Sequence, residues 1–202
     1  MSVELLEDIK SVVTPFGLDP YFTYAVATIE SNCKGYRNNG FPVVRFEKHV
    51  FKRYLKKNKS TQHLVRKAEC IKGSGWDAYQ AALQIEPHYA KLSTSYGMFQ
   101  IMGFNHAVVG YDTVEEFVEA MEASIFKQIE AFCKFIIYNN LQVAMKKLFF
   151  SDFACKYNGP NYHANSYDIK LEAAYNEALK LEDEVIEESK PKKRKGYTQT
   201  KD

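Results

Sequence analysis

Apolar residues in most of this chain recur every three to four positions, the spacing that places them on one face of an α-helix. The clearest helix start is Asp19-Pro20. A carboxylate at this point can accept from free backbone N–H groups, and proline lacks the N–H that would otherwise be unsatisfied. The apolar face that follows contains Phe22, Ala25, Val26 and Ile29. We therefore expect a helix that continues to about Ser31.

The same periodicity predicts helices in much of the remaining chain, and one segment favours β structure. Helices are expected at about 5–16, 47–57, 61–71, 76–85, 113–137, 141–148, 152–157 and 169–181. Thr113-x-x-Glu116 has the spacing of a capping box. Asn39-Gly40 is a hairpin-turn signal, and Val43 and Val44 favour a short strand after it. The sequence predicts a mainly α fold with one short β-hairpin.

Length and composition predict one domain with a changed C-terminal segment. With 202 residues, 46% of them hydrophobic, the chain has enough apolar material for one core. We assign residues 1–181 to the domain and 182–202 to a helix extension and a disordered basic tail. The Pro191–Lys195 stretch also resembles a nuclear-import or polyanion-binding motif, but a solvated tail is favoured.

Charge and cysteine usage exclude several classes of function. The 27 Lys and Arg against 25 Asp and Glu give a net charge of +2, so nucleic-acid binding is not predicted. The four cysteines are scattered and His residues are not clustered, so we expect no metal, no cofactor and no disulfide framework. The acidic N-terminus does not resemble a signal peptide, and no apolar run is long enough for membrane insertion.

Glu30 is the first candidate catalytic residue. It lies one turn after Val26, at the edge of the apolar face of the second predicted helix. Partial burial raises the pKa of a carboxyl, as a general acid near neutral pH requires. A surface Glu at a helix end is the alternative, although the helix dipole disfavours an acid there. Periodicity alone leaves both interpretations open.

Two later segments combine aromatic, amide and glycine residues. In S-T-S-Y-G-M-F-Q-I-M-G-F-N-H (93–106), Gly97 and Gly103 permit close backbone approach, and Gln100 can donate to and accept from sugar substituents. K-Y-N-G-P-N-Y-H-A-N-S-Y-D (156–168) adds stacking and amide groups. The aromatic and amide residues of this second segment are Tyr157, Asn158, Asn161, Tyr162 and Tyr167. Together the segments suggest a carbohydrate groove, although each one alone is compatible with a purely structural role.

The order of these motifs resembles the lysozyme-like superfamily, and more closely the N-acetylmuramidase family of bacteriophage endolysins. The matching stretches are E-S-N-C-K-G-Y at Glu30, F-E-K-H-V-F at Phe46, S-Y-G-M-F-Q-I-M-G-F-N at Ser95 and Y-N-G-P-N-Y-H-A-N-S-Y-D-I-K-L at Tyr157. The resemblance extends from about Asp19 to about Tyr175. The chain departs from the family pattern at Tyr96, Lys48 and Cys33.

The resemblance implies a lysozyme-like helical domain, with its hairpin near the cleft, that hydrolyses the β-1,4 bond between N-acetylmuramic acid and N-acetylglucosamine in peptidoglycan. Glu30 matches the catalytic acid of the family. Substrate binding is expected at Ser95, Tyr96, Gly97, Gln100, Asn105, Tyr157, Asn158 and Tyr162. Peptidoglycan strands are the expected partner of a monomer that accumulates in the host cytoplasm and reaches the wall through a holin-type pore.

Glu47 is the best candidate for a second carboxylate, because a tight hairpin through Asn39-Gly40 would return it toward Glu30. Arg45 and His49 are placed to orient it, whereas the alternative is a helix-start carboxylate favoured by the dipole. Asp112 and Asp152 are weaker candidates. Without a second carboxylate the enzyme would be a lytic transglycosylase that forms 1,6-anhydro products. A non-catalytic glycan-binding phage structural protein is the hypothesis from another class.

Overall fold

The computed structural model describes residues 2–189, with side chains described to residue 181, and the predicted basic tail lies outside the described residues. The α-helices are α1 (Val3–Val13), α2 (Pro20–Ser31), α3 (Lys48–Lys57), α4 (Val65–Glu69), α5 (Trp76–Leu83), α6 (Pro87–Leu92), α7 (Val114–Ala123), α8 (Ile125–Tyr138), α9 (Gln142–Lys146), α10 (Phe150–Asn158) and α11 (Tyr167–Ser189). The strands are β1 (Val44–Phe46), β2 (Thr94–Tyr96) and β3 (Ile101–Met102). The predicted mainly α fold is confirmed.

Helix α2 lies at the centre of the domain, where it packs against α1 and α11. Its start is as predicted, since the Asp19 carboxylate accepts from the backbone N–H groups of Tyr21 and Phe22. The stretch from Phe22 to Ala27 is fully buried. The helix ends at Ser31 because Asn32 adopts a left-handed conformation with φ 54°. Glu30 is therefore held in the last turn of a helix that is fixed by packing against α1 and α11.

The prediction of a single β element is wrong, because the structure contains a three-stranded antiparallel sheet in the order β1-β2-β3. The predicted turn forms, with Gly40 at φ 81°, but it closes only one bridge, between Tyr36 and Pro42. Strand β1 pairs instead with β2, about 50 residues away along the chain. Strands β2 and β3 have only three and two residues, too few to show alternation in a sequence, so only the turn and the first strand were predictable.

Two helical predictions also need correction. The helix expected over 113–137 is divided at Ser124, whose extended backbone ends α7 and whose hydroxyl accepts from the N–H of Phe126 to begin α8. Helix α6 was missed, although Pro87 occupies its first turn and the Glu86 side chain caps it. None of the helices within residues 2–189 has both the length and the apolarity needed to cross a bilayer.

Candidate active site

A polar cleft of about 220 Å³ lies between the end of α2, the sheet and the end of α10. Its lining residues are Glu30, Arg45, Glu47, Ser95, Gln100, Met102, Tyr157 and Asn158. The sheet wall follows from strand register, because Arg45 pairs with Ser95 and Ser95 pairs with Met102, so the three side chains point to the same face. The sequence motifs thus meet at one place.

The Glu30 carboxyl is held in a mostly buried position at this cleft. Burial raises its pKa, while a hydrogen bond from Tyr167 and the charge of Arg45 partly oppose that rise. The Tyr167 hydroxyl, on α11, donates to Glu30 Oε1 at 2.6 Å. A carboxyl in this environment keeps its proton to a higher pH than an exposed glutamate, and its orientation is fixed by Tyr167.

Glu47 faces the same cleft and is held by ionic contacts. Its Oε1 lies 3.0 Å from Arg45 Nε, and its Oε2 lies 3.4 Å from His49 Nδ1. Glu47 occupies the N-cap position of α3, but its side chain makes no capping hydrogen bond. The predicted contacts with Arg45 and His49 are present. The Glu47 side chain is directed to Arg45 and His49 rather than to the free N–H groups of the helix.

The loop between β2 and β3 forms the floor of the cleft through its own hydrogen bonds. The Ser95 hydroxyl donates to Gln100 Oε1 at 2.8 Å, and Gln100 Nε2 donates to the carbonyls of Gly97 and Val43. Ser31, the neighbour of Glu30, donates to the carbonyl of Met98 at 2.9 Å. The Gln100 amide donors, expected to bind sugar, are therefore occupied within the protein, and the Oε1 atom keeps one free lone pair.

Gln128 is a structural residue of the site that the sequence analysis missed. Its side chain is buried in α8, where Oε1 accepts from the N–H of Met98 and Nε2 donates to the carbonyls of Met121 and Gly35. Gly97 has φ 73°, and a Cβ there would overlap the Gln128 amide. The sequence signal that could have identified Gln128 is a polar residue on the otherwise apolar face of α8.

A second depression of about 290 Å³ adjoins the first and shares Gln100, Met102 and Tyr157 with it. It contains the predicted residue Asn105, and its remaining lining residues are Ile101, Phe104, Phe135 and Asn139. The Phe104 side chain is 44% exposed, so its ring is available to a ligand. The two depressions form an elongated groove with both aromatic and amide groups, as a glycan strand requires.

Two predicted substrate-binding residues do not reach the groove. Tyr96 follows Ser95 in β2, so its side chain points to the opposite face and is buried, where its hydroxyl donates to Tyr79 Oη. Tyr162 is also buried, with its ring centroid 3.7 Å from that of His163. Neither side chain is among the described residues that line the groove. Gly97 contributes only backbone geometry beneath the groove.

The remaining tyrosines have different roles from the stacking that their sequence predicted. Tyr157 packs on Phe153 with ring centroids 5.2 Å apart, and its hydroxyl donates to the carbonyl of Phe99. Tyr167 is buried and contacts Glu30 instead of a sugar face. The weaker carboxylate candidates lie elsewhere: Asp152 borders a depression at α10 and α11, and neither it nor Asp112 is among the described residues lining the cleft.

A helical domain with a small antiparallel sheet and two carboxylates facing one polar cleft is the arrangement of lysozyme-like glycoside hydrolases. A family model described as N-acetylmuramidase matches residues 19–179. The chain belongs to this family, as the sequence motifs indicated, and is a peptidoglycan hydrolase of the N-acetylmuramidase type.

A solved structure supports the same assignment. The crystal structure of the Burkholderia AP3 phage endolysin superimposes with a TM-score of 0.74 at 31% sequence identity. The match covers 87% of this chain and 71% of that one. No curated protein matches the chain significantly.

Proposed function

We propose that Glu30 is the general acid that protonates the glycosidic oxygen of the β-1,4 bond as it breaks. The observation that carries this proposal is a mostly buried carboxyl with a raised pKa, fixed by Tyr167, at the wall of the polar cleft. Cleavage proceeds through an oxocarbenium-like transition state. Glu30 supplies a proton to the leaving oxygen, where negative charge develops. The cleft beside Glu30 provides space for the sugar.

We further propose that Glu47 is the second carboxylate of the reaction. The Arg45 guanidinium, which is always charged, contacts the Glu47 carboxylate at 3.0 Å and holds it at the wall of the cleft. A second carboxylate at the cleft would stabilise the oxocarbenium charge or activate the attacking water. Its presence beside Glu30 favours hydrolysis over the transglycosylase route, which requires no second carboxylate.

Product analysis distinguishes the two reactions. We expect digestion of purified peptidoglycan to give fragments with reducing N-acetylmuramic acid ends, because water is the acceptor. Mass spectrometry of the released muropeptides measures this directly. Fragments that end in 1,6-anhydro rings would instead assign the transglycosylase reaction, and no fragments at all would favour the non-catalytic glycan-binding alternative.

Replacing Tyr167 with phenylalanine is expected to move the basic limb of the pH–rate profile to higher pH. The Tyr167 hydroxyl donates to Glu30 Oε1 and favours the ionised carboxylate, which partly offsets the rise in pKa caused by burial. Removing the hydroxyl removes this offset, so the Glu30 pKa rises further. Arg45 and Tyr157 still face the carboxyl in the variant. The measurement is kcat/KM against pH, since its basic limb reports the acid in the free enzyme.

Tyr175→Phe is a matched control for this variant. Tyr175 lies on the same helix and its hydroxyl donates to a carboxylate, Asp19 Oδ2 at 3.4 Å, at the start of α2 rather than at the cleft. We expect Tyr175→Phe to lower stability without moving the basic limb. A Tyr167→Phe limb that is unchanged, or displaced to lower pH, would contradict the proposed role of Tyr167.

The biological role we propose is lysis of a bacterial host by a phage endolysin, supported by the family and by the endolysin neighbour. The enzyme would be made in the host cytoplasm and released to the periplasmic wall through a holin-type pore. We also retain the predictions of a monomer whose partner is the glycan strand and not a nucleic acid. Lysis on co-expression with a holin, and no lysis without one, would support this route.

A further inference from the structure

Basic residues are concentrated in one segment of the chain, from Arg45 to Lys72. This segment contains ten Lys and Arg residues but only two acidic ones, Glu47 and Glu69. The remaining residues contain 17 Lys and Arg against 23 Asp and Glu. The small net charge of the protein therefore conceals a strongly basic region on an otherwise acidic chain.

Four of the six basic residues of α3 share one face of that helix, which we call the α3 basic face. It consists of His49, Lys52, Arg53 and Lys56, at the three-to-four-residue spacing of one helix side. The opposite side is buried through Val50, Phe51 and Leu55. A depression of about 380 Å³ on this face is bordered by Lys48 and the four residues of the α3 basic face.

The α3 basic face is continuous with the catalytic cleft. Helix α3 begins directly after Glu47, and His49 contacts Glu47 at the cleft. From His49 to Lys56 the α3 basic face extends about 10 Å along the helix. A glycan strand bound at Glu47 therefore passes one end of the α3 basic face.

Only part of this positive charge is neutralised within the protein. Lys52 pairs with Glu69 at 2.9 Å, and Lys48 Nζ donates to the carbonyl of Ile71 at 2.7 Å. Arg53 and Lys56 are exposed, and no carboxylate among the described side chains forms an ion pair with either. Two cations therefore remain for an anionic ligand beside the cleft.

We propose that the α3 basic face binds the free carboxylates of the peptide stems carried by the peptidoglycan substrate. This inference rests on the proposed position of the glycan strand in the cleft. Stems project from every muramic acid residue, so a strand bound at Glu47 brings their carboxylates to the positive end of the enzyme. The stems are thus recognised by charge, while the cleft recognises the sugars.

The proposal is tested by removing charges from the enzyme and from the substrate, separately and together, and comparing the effects. The enzyme variant is Arg53→Gln/Lys56→Gln, and the substrate variant is peptidoglycan whose free carboxylates have been converted to amides. With native peptidoglycan at an ionic strength of about 0.01 M, the double substitution should raise KM about fivefold, as two exposed charge contacts predict. With amidated peptidoglycan the two enzymes should have the same KM, and kcat should be unaffected throughout.

Lys146→Gln/Lys147→Gln is the matched control, because it removes two positive charges at the end of α9, away from the cleft. It should leave KM for native peptidoglycan unchanged. An equal rise in KM on native and amidated substrate, or the same rise in the control, would overturn the proposal. An unchanged KM combined with weakened binding to lipopolysaccharide would assign the α3 basic face to phosphate polyanions instead. Failure of the wild type to cleave native peptidoglycan would refute the proposed function separately.

Discussion

Replacing Glu30 with glutamine is expected to lower the rate of peptidoglycan hydrolysis by about 10²- to 10⁴-fold, the usual contribution of a general acid. Glutamine has the same shape and can still accept the hydrogen bond from Tyr167, but it has no proton to give to the leaving oxygen. The measurement is the initial rate of turbidity loss of a suspension of purified cell walls, with binding to the same walls measured in parallel. Unchanged binding would locate the loss in the chemical step.

The same variant should be more stable than the wild type at neutral pH. Burial raises the Glu30 pKa above its value in the unfolded chain. Ionisation of Glu30 therefore lowers the free energy of unfolding of the wild type as the pH rises above the pKa of an exposed glutamate. The advantage of Glu30→Gln should be small at acidic pH, where both states are protonated, and larger at pH 7. Thermal unfolding at several pH values measures it. A carboxyl with a functional role commonly carries such a cost.

Glu122→Gln is the control for both effects. Burial also raises the pKa of Glu122, but this residue lies on α7 and not among the described lining residues of the cleft. It should gain stability at neutral pH without loss of activity. Wall hydrolysis by Glu30→Gln within a few-fold of the wild type would remove Glu30 from the mechanism.

Features set by neighbouring residues were predictable from the sequence. The Asp19-Pro20 start, the end of α2 near Ser31 and the edge position of Glu30 follow from capping and periodicity. The family motifs then indicated that Glu30 belongs to a catalytic site. The capping and periodicity that define α2 involve residues only a few positions apart, so they can be recognised in a single sequence.

Features set by distant contacts were not predictable. The donor to Glu30 is Tyr167, 137 residues further along the chain, and no local pattern distinguishes its hydroxyl from those of nearby tyrosines. Tyr96 was assigned to the groove because it lies between motif residues, but strand alternation turns it into the core. Pairing of β1 with β2 was equally hidden, and that pairing is what places Arg45 beside Ser95.

Replacing Glu47 with glutamine is expected to lower hydrolysis by a factor comparable with that for Glu30, because the second carboxylate of the cleft is lost. The basic limb of the kcat/KM profile, which reports Glu30, should persist. Initial rates across the pH range measure both effects on one preparation.

Glu115→Gln is a closely matched control for Glu47→Gln. Glu115 also contacts one cation and one histidine, with Lys91 at 3.2 Å and His88 at 3.5 Å, but it lies on α7 outside the described cleft. It should retain full activity and the full pH profile. If Glu47→Gln behaved like Glu115→Gln, Glu47 would be only an ionic partner of Arg45. Glu30 would then act without a second carboxylate, and the released products should carry 1,6-anhydro ends. Loss of activity confined to Glu47→Gln, with reducing ends in the wild-type digest, would instead establish a two-carboxylate hydrolase.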